Sequence, residues 1–340
     1  MKRITVQAIN VSGLGSVNWV KSFIFSYKNF FQKNYTEFYL NEKIILNYNK
    51  KLFSVNKVAN NFFYKIYYYF KIIFTIKKDS CLISLSDLPV PFIKNQILFI
   101  NQANLINPKI NKYASRSFIF KIKRLYLEIF IKKLKKIFVQ SHHMKKSLIK
   151  SYKIKSNLIY VLKIPIDKPK IKFIKKKSKI TRLLYPSNHY LYKNHKIIIK
   201  ALSEHPIKNL LIYFTATPSE FYKYKNLKFI KRINYYSYKN TYSIYNKFDA
   251  LIYPSKIESL GLPLIEALYL NMPVLCSNLP YAREICGTNN FMYFNEDSIS
   301  SLNKCILKFI YLKNKKTIMN IKFFNKNINK NTLINLDKII

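Results

Sequence analysis

The sequence predicts an α/β chain of two open, parallel-sheet domains joined by a basic linker. Three observations predict it. The chain has 340 residues, more than one compact core usually uses, so two domains of ~100–200 residues are expected. Short apolar strands alternate with helical stretches over its length, the pattern of helices wrapped on both faces of a parallel sheet. Between the halves the texture changes: Lys168–Arg182 holds eight basic residues in fifteen behind Pro165 and Pro169, most simply a solvated linker.

The elements follow in order. Arg3–Val11 runs apolar, meets Ser12-Gly13-Leu14-Gly15-Ser16, and continues into an apolar-periodic run through Trp19, Val20 and Phe23. That is strand, tight loop, helix. Strands are predicted at Cys81–Leu85, Ile97–Ile100 and Phe138-Val139, with helices at Asn60–Ile76 and Ser117–Lys136. In the last helix Phe118, Ile122, Leu125, Ile129 and Ile137 make an apolar stripe, with Lys121, Arg124, Lys132 and Lys135 opposite, as in a surface helix packed on a core. Beyond the linker the rhythm resumes. Strands are predicted at Leu183–Tyr185, Leu210–Phe214, Phe229–Ile233, Leu251–Tyr253 and Pro273–Ser277, and helices at His195–Leu202, Tyr238–Lys247 and Pro263–Leu270. Pro263 suits a first helical position, where its missing N–H costs nothing.

Composition excludes several classes. The formal charge of +45 suggests a nucleic-acid binder, but 49% hydrophobic and 16% aromatic residues require packed cores. Part of the charge is attributed to drift toward Lys, Asn, Ile, Tyr and Phe in an AT-rich coding sequence. Four cysteines (Cys81, Cys276, Cys286, Cys305) lie too far apart for a stapled scaffold or a zinc cage and read as reduced, buried thiols of a cytoplasmic protein. Met1–Phe23 has no apolar h-region, so no signal peptide is expected. Phe62–Ile76 is interrupted by Lys65 and Lys71 and falls short of the ~18 apolar residues a membrane span needs.

Glycine and acid survive in few places. All four glycines fall at Gly13, Gly15, Gly261 and Gly287, positions expected to need φ > 0 or close approach of a ligand to the backbone. Each by itself also fits an ordinary turn. Between Asp249 and Asp297 six acids stand against Lys256 and Arg283, a net-negative window in a basic chain. Glu258 lies in a loop after a strand's carboxyl end, where open α/β sheets bind ligands. Glu266 lies one turn into the next helix. Backbone N–H groups of Gly261, Leu262 and Leu264 open that helix and suit an anionic phosphate, while carboxylates suit sugar hydroxyls.

Glu258 and Glu266, seven residues apart, resemble the E-x7-E signature of retaining nucleotide-sugar glycosyltransferases of the GT-B fold, family 4 (glycosyl transferases group 1). Flanking blocks are similar too: Asp249–Ser255, Ala267-Leu268, Pro273–Ser277, Tyr281–Gly287 and Tyr293-Phe294. Upstream, Tyr185-Pro186-Ser187-Asn188 with Lys193-Asn194-His195 resembles a donor-phosphate loop, Gly13-Leu14-Gly15 the glycine loop, and Ile164–Asp167 the hinge. The resemblance is strong over 180–300 and thin over 1–165. It implies two Rossmann-like domains facing a cleft: an acceptor-binding domain over 1–166, a linker over 167–182, a nucleotide-sugar domain over 183–325, and a tail or crossover helix over 326–340.

By that resemblance Glu266 holds ribose hydroxyls and Glu258 the donor sugar. Lys193 neutralises the diphosphate, and Asn188, Gly13 and Gly15 join the donor site. No metal or other cofactor is implied; the partners are a nucleotide-sugar donor and a saccharide or lipid-linked acceptor. The basic N-terminal half further suggests peripheral binding, by charge, to the anionic inner face of the cytoplasmic membrane. Three positions depart from the family pattern. Ser187 stands where an Arg is common, Asn101 and Gln102 occupy the region of a frequent His, and Leu260 replaces an aromatic. Two alternatives stay open: a non-catalytic glycosyltransferase-like scaffold, and a basic nucleic-acid-binding protein. For the latter no motif is present, so no nucleic-acid partner is expected. NAD binding is disfavoured by Asn18 at the third-glycine position of the fingerprint. His142 and His143 read as surface or cleft-wall residues.

Overall fold

A computed structural model of the chain describes residues 1–46, 53–106, 117–162, 171, 173–174, 178–236, 240–287, 292–315 and 336. They fall into two compact units, each built on one parallel sheet.

The first unit carries seven strands: β1 (Arg3–Ala8), β2 (Tyr35–Asn41), β3 (Ser54–Val58), β4 (Cys81–Ser84), β5 (Gln96–Ile100), β6 (Lys136–Val139) and β7 (Ile159–Val161). Their spatial order is β3-β2-β1-β4-β5-β6-β7, and each pairing is parallel. Its helices are α1 (Leu14–Ser26), α2 (Lys28–Lys33), α3 (Phe62–Thr75), α4 (Ala103–Ile106), α5 (Ser117–Ile131) and α6 (His142–Tyr152). The central strands β4 and β5 are buried throughout, as sheets covered on both faces require. One core gathers Val20, Phe23, Phe38, Phe99 and Phe138, and Leu336 from the far end of the chain is buried in it.

The second unit carries β8 (Thr181–Tyr185), β9 (Leu210–Thr215), β10 (Ile230–Ile233), β11 (Ala250–Tyr253), β12 (Val274–Ser277) and β13 (Met292–Phe294). Their order, β10-β9-β8-β11-β12-β13, is the 3-2-1-4-5-6 arrangement of a Rossmann sheet. Helices α7 (His195–Glu204), α8 (Pro218–Phe221), α9 (Thr241–Tyr245), α10 (Leu262–Tyr269), α11 (Pro280–Cys286) and α12 (Ile299–Asn314) connect and cover it. Chain direction across the sheet reverses between β8 and β11.

The structure corrects several expectations. Strands β2, β3, β7 and β13 and helices α2, α4, α6, α8, α11 and α12 are not resolved by periodicity, because aromatic and lysine residues fill core and surface positions alike. Helix α5 ends at Ile131, not Lys136, since Lys136 already opens β6. Its predicted stripe is turned outward: Phe118, Ile122, Leu125 and Ile129 are exposed, while Leu127 and Ile131 are buried with Ile137. The helix is apolar on two faces, and the one continuous with β6 was buried. Pro263 is the second residue of α10, still within the turn whose N–H groups lack helical partners. Half of the predicted linker over 167–182, the hinge at Ile164–Asp167, and the 326–340 segment apart from Leu336 lie outside the described residues. All four cysteines are free and buried, and burial pushes the thiols of Cys81 and Cys305 up to about 11 and about 12.

One buried charge pair anchors the second unit. Lys313 Nζ on α12 lies 3.1 Å from Asp249 Oδ2, and the same oxygen accepts from the Arg182 amide at 2.8 Å. Lys313 also reaches the Ile180 carbonyl at 3.2 Å and Thr181 Oγ1 at 3.3 Å. Removing the cation strands a buried carboxylate, so Lys313→Met is expected to cost about 3 kcal/mol or more, measurable as a lowered midpoint in urea unfolding.

Candidate functional site

Parallel pairing sets Leu183 and Leu184 of β8 beside Ala250 and Leu251 of β11. Both carboxyl ends therefore open on the same sheet edge at the point where strand order reverses, which is where such sheets bind ligands. Each end releases a loop. After β8 the chain runs through Ser187 and Asn188 to a single 3-10 turn, Leu191–Lys193, then through Asn194 in the left-handed region (φ 59°) into α7. After β11 it runs through Ser255 and Glu258 to Gly261, at φ 63°, and into α10.

The loops are tied together. The Lys256 amide donates to the Tyr192 carbonyl at 2.8 Å. Lys193 Nζ donates to Glu258 Oε1 at 2.6 Å, with the two side chains 15% and 11% exposed. Tyr253 OH donates to the same oxygen at 2.7 Å. The lysine sits 5.4 Å from the Tyr192 ring centroid and 5.7 Å from that of Tyr253, within cation–π range. Tyr185 OH donates to the Lys193 carbonyl and packs edge-on against Tyr253 at 5.7 Å. A tyrosine cage thus holds both charged groups. Sequence reasoning named Lys193 and Glu258 but missed the cage, although Tyr185 and Tyr253 flank both motifs.

Gly261 is required by its conformation and by space. A Cβ there would stand 3.2 Å from Ile285 Cδ1 and 3.4 Å from Leu264 Cδ1, at a φ that L side chains rarely adopt. Gly13 and Gly15 are different. Gly13 is extended at φ −74°, and a Cβ at either residue meets nothing nearer than 4.0 Å, so the fold demands glycine at neither. Leu264 is a second correction. Its amide already donates to the Gly261 carbonyl at 2.9 Å, so it is not among the amides α10 presents to an anion.

Glu266 is buried on α10 and accepts from Tyr245 OH at 2.7 Å, with Tyr236 beside the pair. Desolvation raises its carboxyl from 4.5 to about 7, against the lowering effect of Tyr245. The folded state therefore holds this proton more tightly than the unfolded chain. That contribution to stability is present at low pH and is lost as pH rises from 4.5 through about 7.

The β8 loop rests on histidine. His195 stacks on His189 at 4.3 Å and lies tilted against Tyr185 at 4.6 Å. Its Nε2 is buried without a hydrogen-bond partner, and burial first, then nearby cations, pushes its pKa down to about 2. His195 is thus neutral packing beneath the lysine turn. Asn188 is exposed, its carbonyl taken by Ser187 Oγ at 3.0 Å. Ser187, where a second cation was missed, is buried and bonded through its amide to Thr215 Oγ1 at 2.9 Å.

In the first unit the equivalent reversal lies between β1 and β4. The Gly13–Gly15 loop follows β1 and Asp87 follows β4. Asp87 Oδ1 accepts the amides of Asn101 at 2.5 Å and Gln102 at 3.0 Å, and Asn101 Oδ1 accepts from Gln140 Nε2 at 2.7 Å. Among the described residues no group of three or more His, Cys, Asp or Glu side chains could hold a metal ion.

With this geometry the comparisons are specific. Residues 166–322 match the family described as glycosyl transferases group 1. The O-antigen chain mannosyltransferase RfbU of Salmonella typhimurium is 29% identical to it over 225 residues, 64% of this chain and 61% of that protein. The match thus spans about three fifths of that relative's length. Sucrose-phosphate synthase from Thermosynechococcus elongatus superposes with a TM-score of 0.67 over 96% of each chain at 10% identity. Anabaena HepE, solved with UDP and glucose, superposes with 0.64 over 97% of each chain at 14% identity. These likenesses show the fold, GT-B.

Tyr253→Phe keeps the ring and deletes the bond to Glu258. It is expected to lower the stability of the second unit by about 1–2 kcal/mol, read from urea unfolding.

Proposed function

We propose that this protein is a retaining glycosyltransferase that moves a hexose from a nucleotide-sugar to a saccharide or lipid-linked acceptor in surface-polysaccharide synthesis. One observation carries the reading: the 2.6 Å approach of Lys193 to Glu258, two residues that are 65 apart in sequence. A nucleotide-sugar joins its phosphate to its sugar through a single oxygen, so its site needs a cation and a hydroxyl acceptor side by side. The likeness to the Salmonella O-antigen chain mannosyltransferase supports a hexose donor and a polysaccharide product.

In this reading Lys193, with the amides of Gly261 and Leu262 at the start of α10, faces the diphosphate. Their positive charge stabilises the nucleoside diphosphate as the bond to the sugar breaks. Glu258 accepts from sugar hydroxyls and Glu266 from the ribose, while Asn188 lines the phosphate loop. Gly13 and Gly15 leave room for the ligand, a use consistent with a fold that demands neither. No resident metal is invoked, because protein groups supply the positive charge. The four reduced, buried thiols suit the cytoplasmic side, and the basic first unit suits an acceptor at an anionic membrane face.

Two outcomes test this. Lys193→Ala should reduce turnover by roughly 10²–10³-fold, with the product of the unmodified protein retaining the donor's anomeric configuration and a chelator leaving its rate unchanged. An inverted anomer by NMR refutes the mechanism. For Glu266, ribose hydroxyls donate to the ionised form. Nucleotide affinity should therefore strengthen as pH rises through about 7, with a proton released. Glu266→Gln should bind about ten-fold more weakly at pH ~8 and lose the pH dependence, as read by calorimetry in two buffers.

A further inference from the structure

Helices α3 and α5 expose apolar side chains that no described neighbour covers. On α3, Phe63 is 77% and Phe74 81% exposed, and Phe70 lies open between them. On α5, Phe118 is 72% and Leu125 61% exposed, with Ile122 open beside them. Each helix is already anchored by a different face: Ile72 of α3 is buried with Tyr39 and Leu82, and Leu127 and Ile131 of α5 are buried with Leu98 and Ile137. The outward faces are therefore surplus to folding. The helices lie within electrostatic reach of one another, since the charge of Lys123 on α5 helps to lower the pKa of Lys65 on α3, behind desolvation. Each helix thus leaves a row of apolar side chains in water, the kind of exposed apolar face that marks an interaction site.

The charges on these faces select an occupant. Helix α3 carries Lys65 and Lys71 and no acid; α5 carries Lys121, Lys123 and Arg124 against Glu128 alone, with Lys132 and Lys133 just beyond. A second copy of this chain would set bases against bases with almost nothing to answer them. An anionic bilayer answers both features, with acyl chains for the aromatic and aliphatic groups and phosphates for the ammonium groups. Lysine stems can lie along the apolar surface while their heads stay at the phosphates, and the tyrosines of α3 suit the headgroup boundary. The helices have 14 and 15 residues, or roughly 21–23 Å at ~1.5 Å per residue. Both fall short of the ~30 Å hydrocarbon core, and no described helix is long and apolar enough to cross a membrane. They can lie in the interface.

We propose that the outward faces of α3 and α5 form a membrane-insertion surface that docks the first unit on anionic lipid through buried aromatic and aliphatic side chains, with the lysines as attracting charges. This adds to the attraction by charge suggested above and does not depend on the transfer reaction.

Co-sedimentation of the full chain with phosphatidylcholine vesicles, with and without phosphatidylglycerol, tests it. Binding should require the anionic lipid for capture, yet a measurable fraction should stay bound at ~1 M salt, where charge acts over only ~3 Å. The double variants Phe63→Ser/Phe74→Ser and Phe118→Ser/Leu125→Ser should each bind at least about ten-fold more weakly, with unchanged thermal unfolding because these side chains are exposed. Phe74→Cys and Leu125→Cys can be labelled with a polarity-sensitive dye, since the native cysteines are buried; both labels should shift to the blue on vesicles. Glu266→Ala should bind vesicles like the unmodified chain, which separates this surface from the donor-site reading. Three results each overturn the proposal: release by salt with full binding retained in the Ser variants, unshifted labels on sedimenting protein, or a vesicle-free dimer that buries the labels.

Discussion

The pairing of β8 with β11 is the constraint on which the candidate site depends. These two strands are adjacent in space but separated in sequence by β9 and β10. Their parallel register delivers two loops to one edge, and the loops bring Lys193 and Glu258 into contact. Neither loop could place its charge alone. The β11 loop borrows a carbonyl from the β8 loop at Tyr192, and the β8 turn hangs from β8's own Tyr185. The buried Lys313–Asp249 pair fixes the entrance of β8 from the opposite end.

The two carboxylates of the motif live in different electrical surroundings. Glu258 faces an ammonium group and a phenol. Glu266 is buried with a phenol only, and desolvation dominates its titration. Seven intervening residues suffice for this contrast because a left-handed Gly261 turns the chain from open loop to buried helix. Acid retention in this basic protein follows partnership. Asp249, Glu258 and Asp297 each meet a lysine, and Glu266 meets Tyr245.

The fold class was legible because buried central strands such as β5 and β12 read as unbroken apolar runs whatever the coding bias. The edge strand β3, with Ser, Asn and Lys in five residues, gave no such contrast. The chemistry of the second unit was legible through scarcity: where glycine and acid are rare, Gly261, Glu258 and Glu266 stand out. What stayed hidden was carried by common residues. Tyrosines that cage Lys193 look like tyrosines anywhere else among 28, and the orientation of α5 could not be read because two of its faces are apolar. Gly13 and Gly15 do not adopt φ > 0, so of the two reasons the sequence offers for them only close approach of a ligand is left.

The contact between Lys193 and Glu258 gives the candidate site its own internal counterion. An arriving anion does not meet a bare ammonium; it must displace a carboxylate already 2.6 Å away in surroundings drier than bulk water. A small inorganic anion that took the lysine would leave Glu258 without compensation beyond Tyr253. A molecule with hydroxyl groups next to its phosphate could satisfy both halves as they separate. If the proposed donor site is right, the pair is a filter that sorts anions by what is attached to them before any chemistry begins.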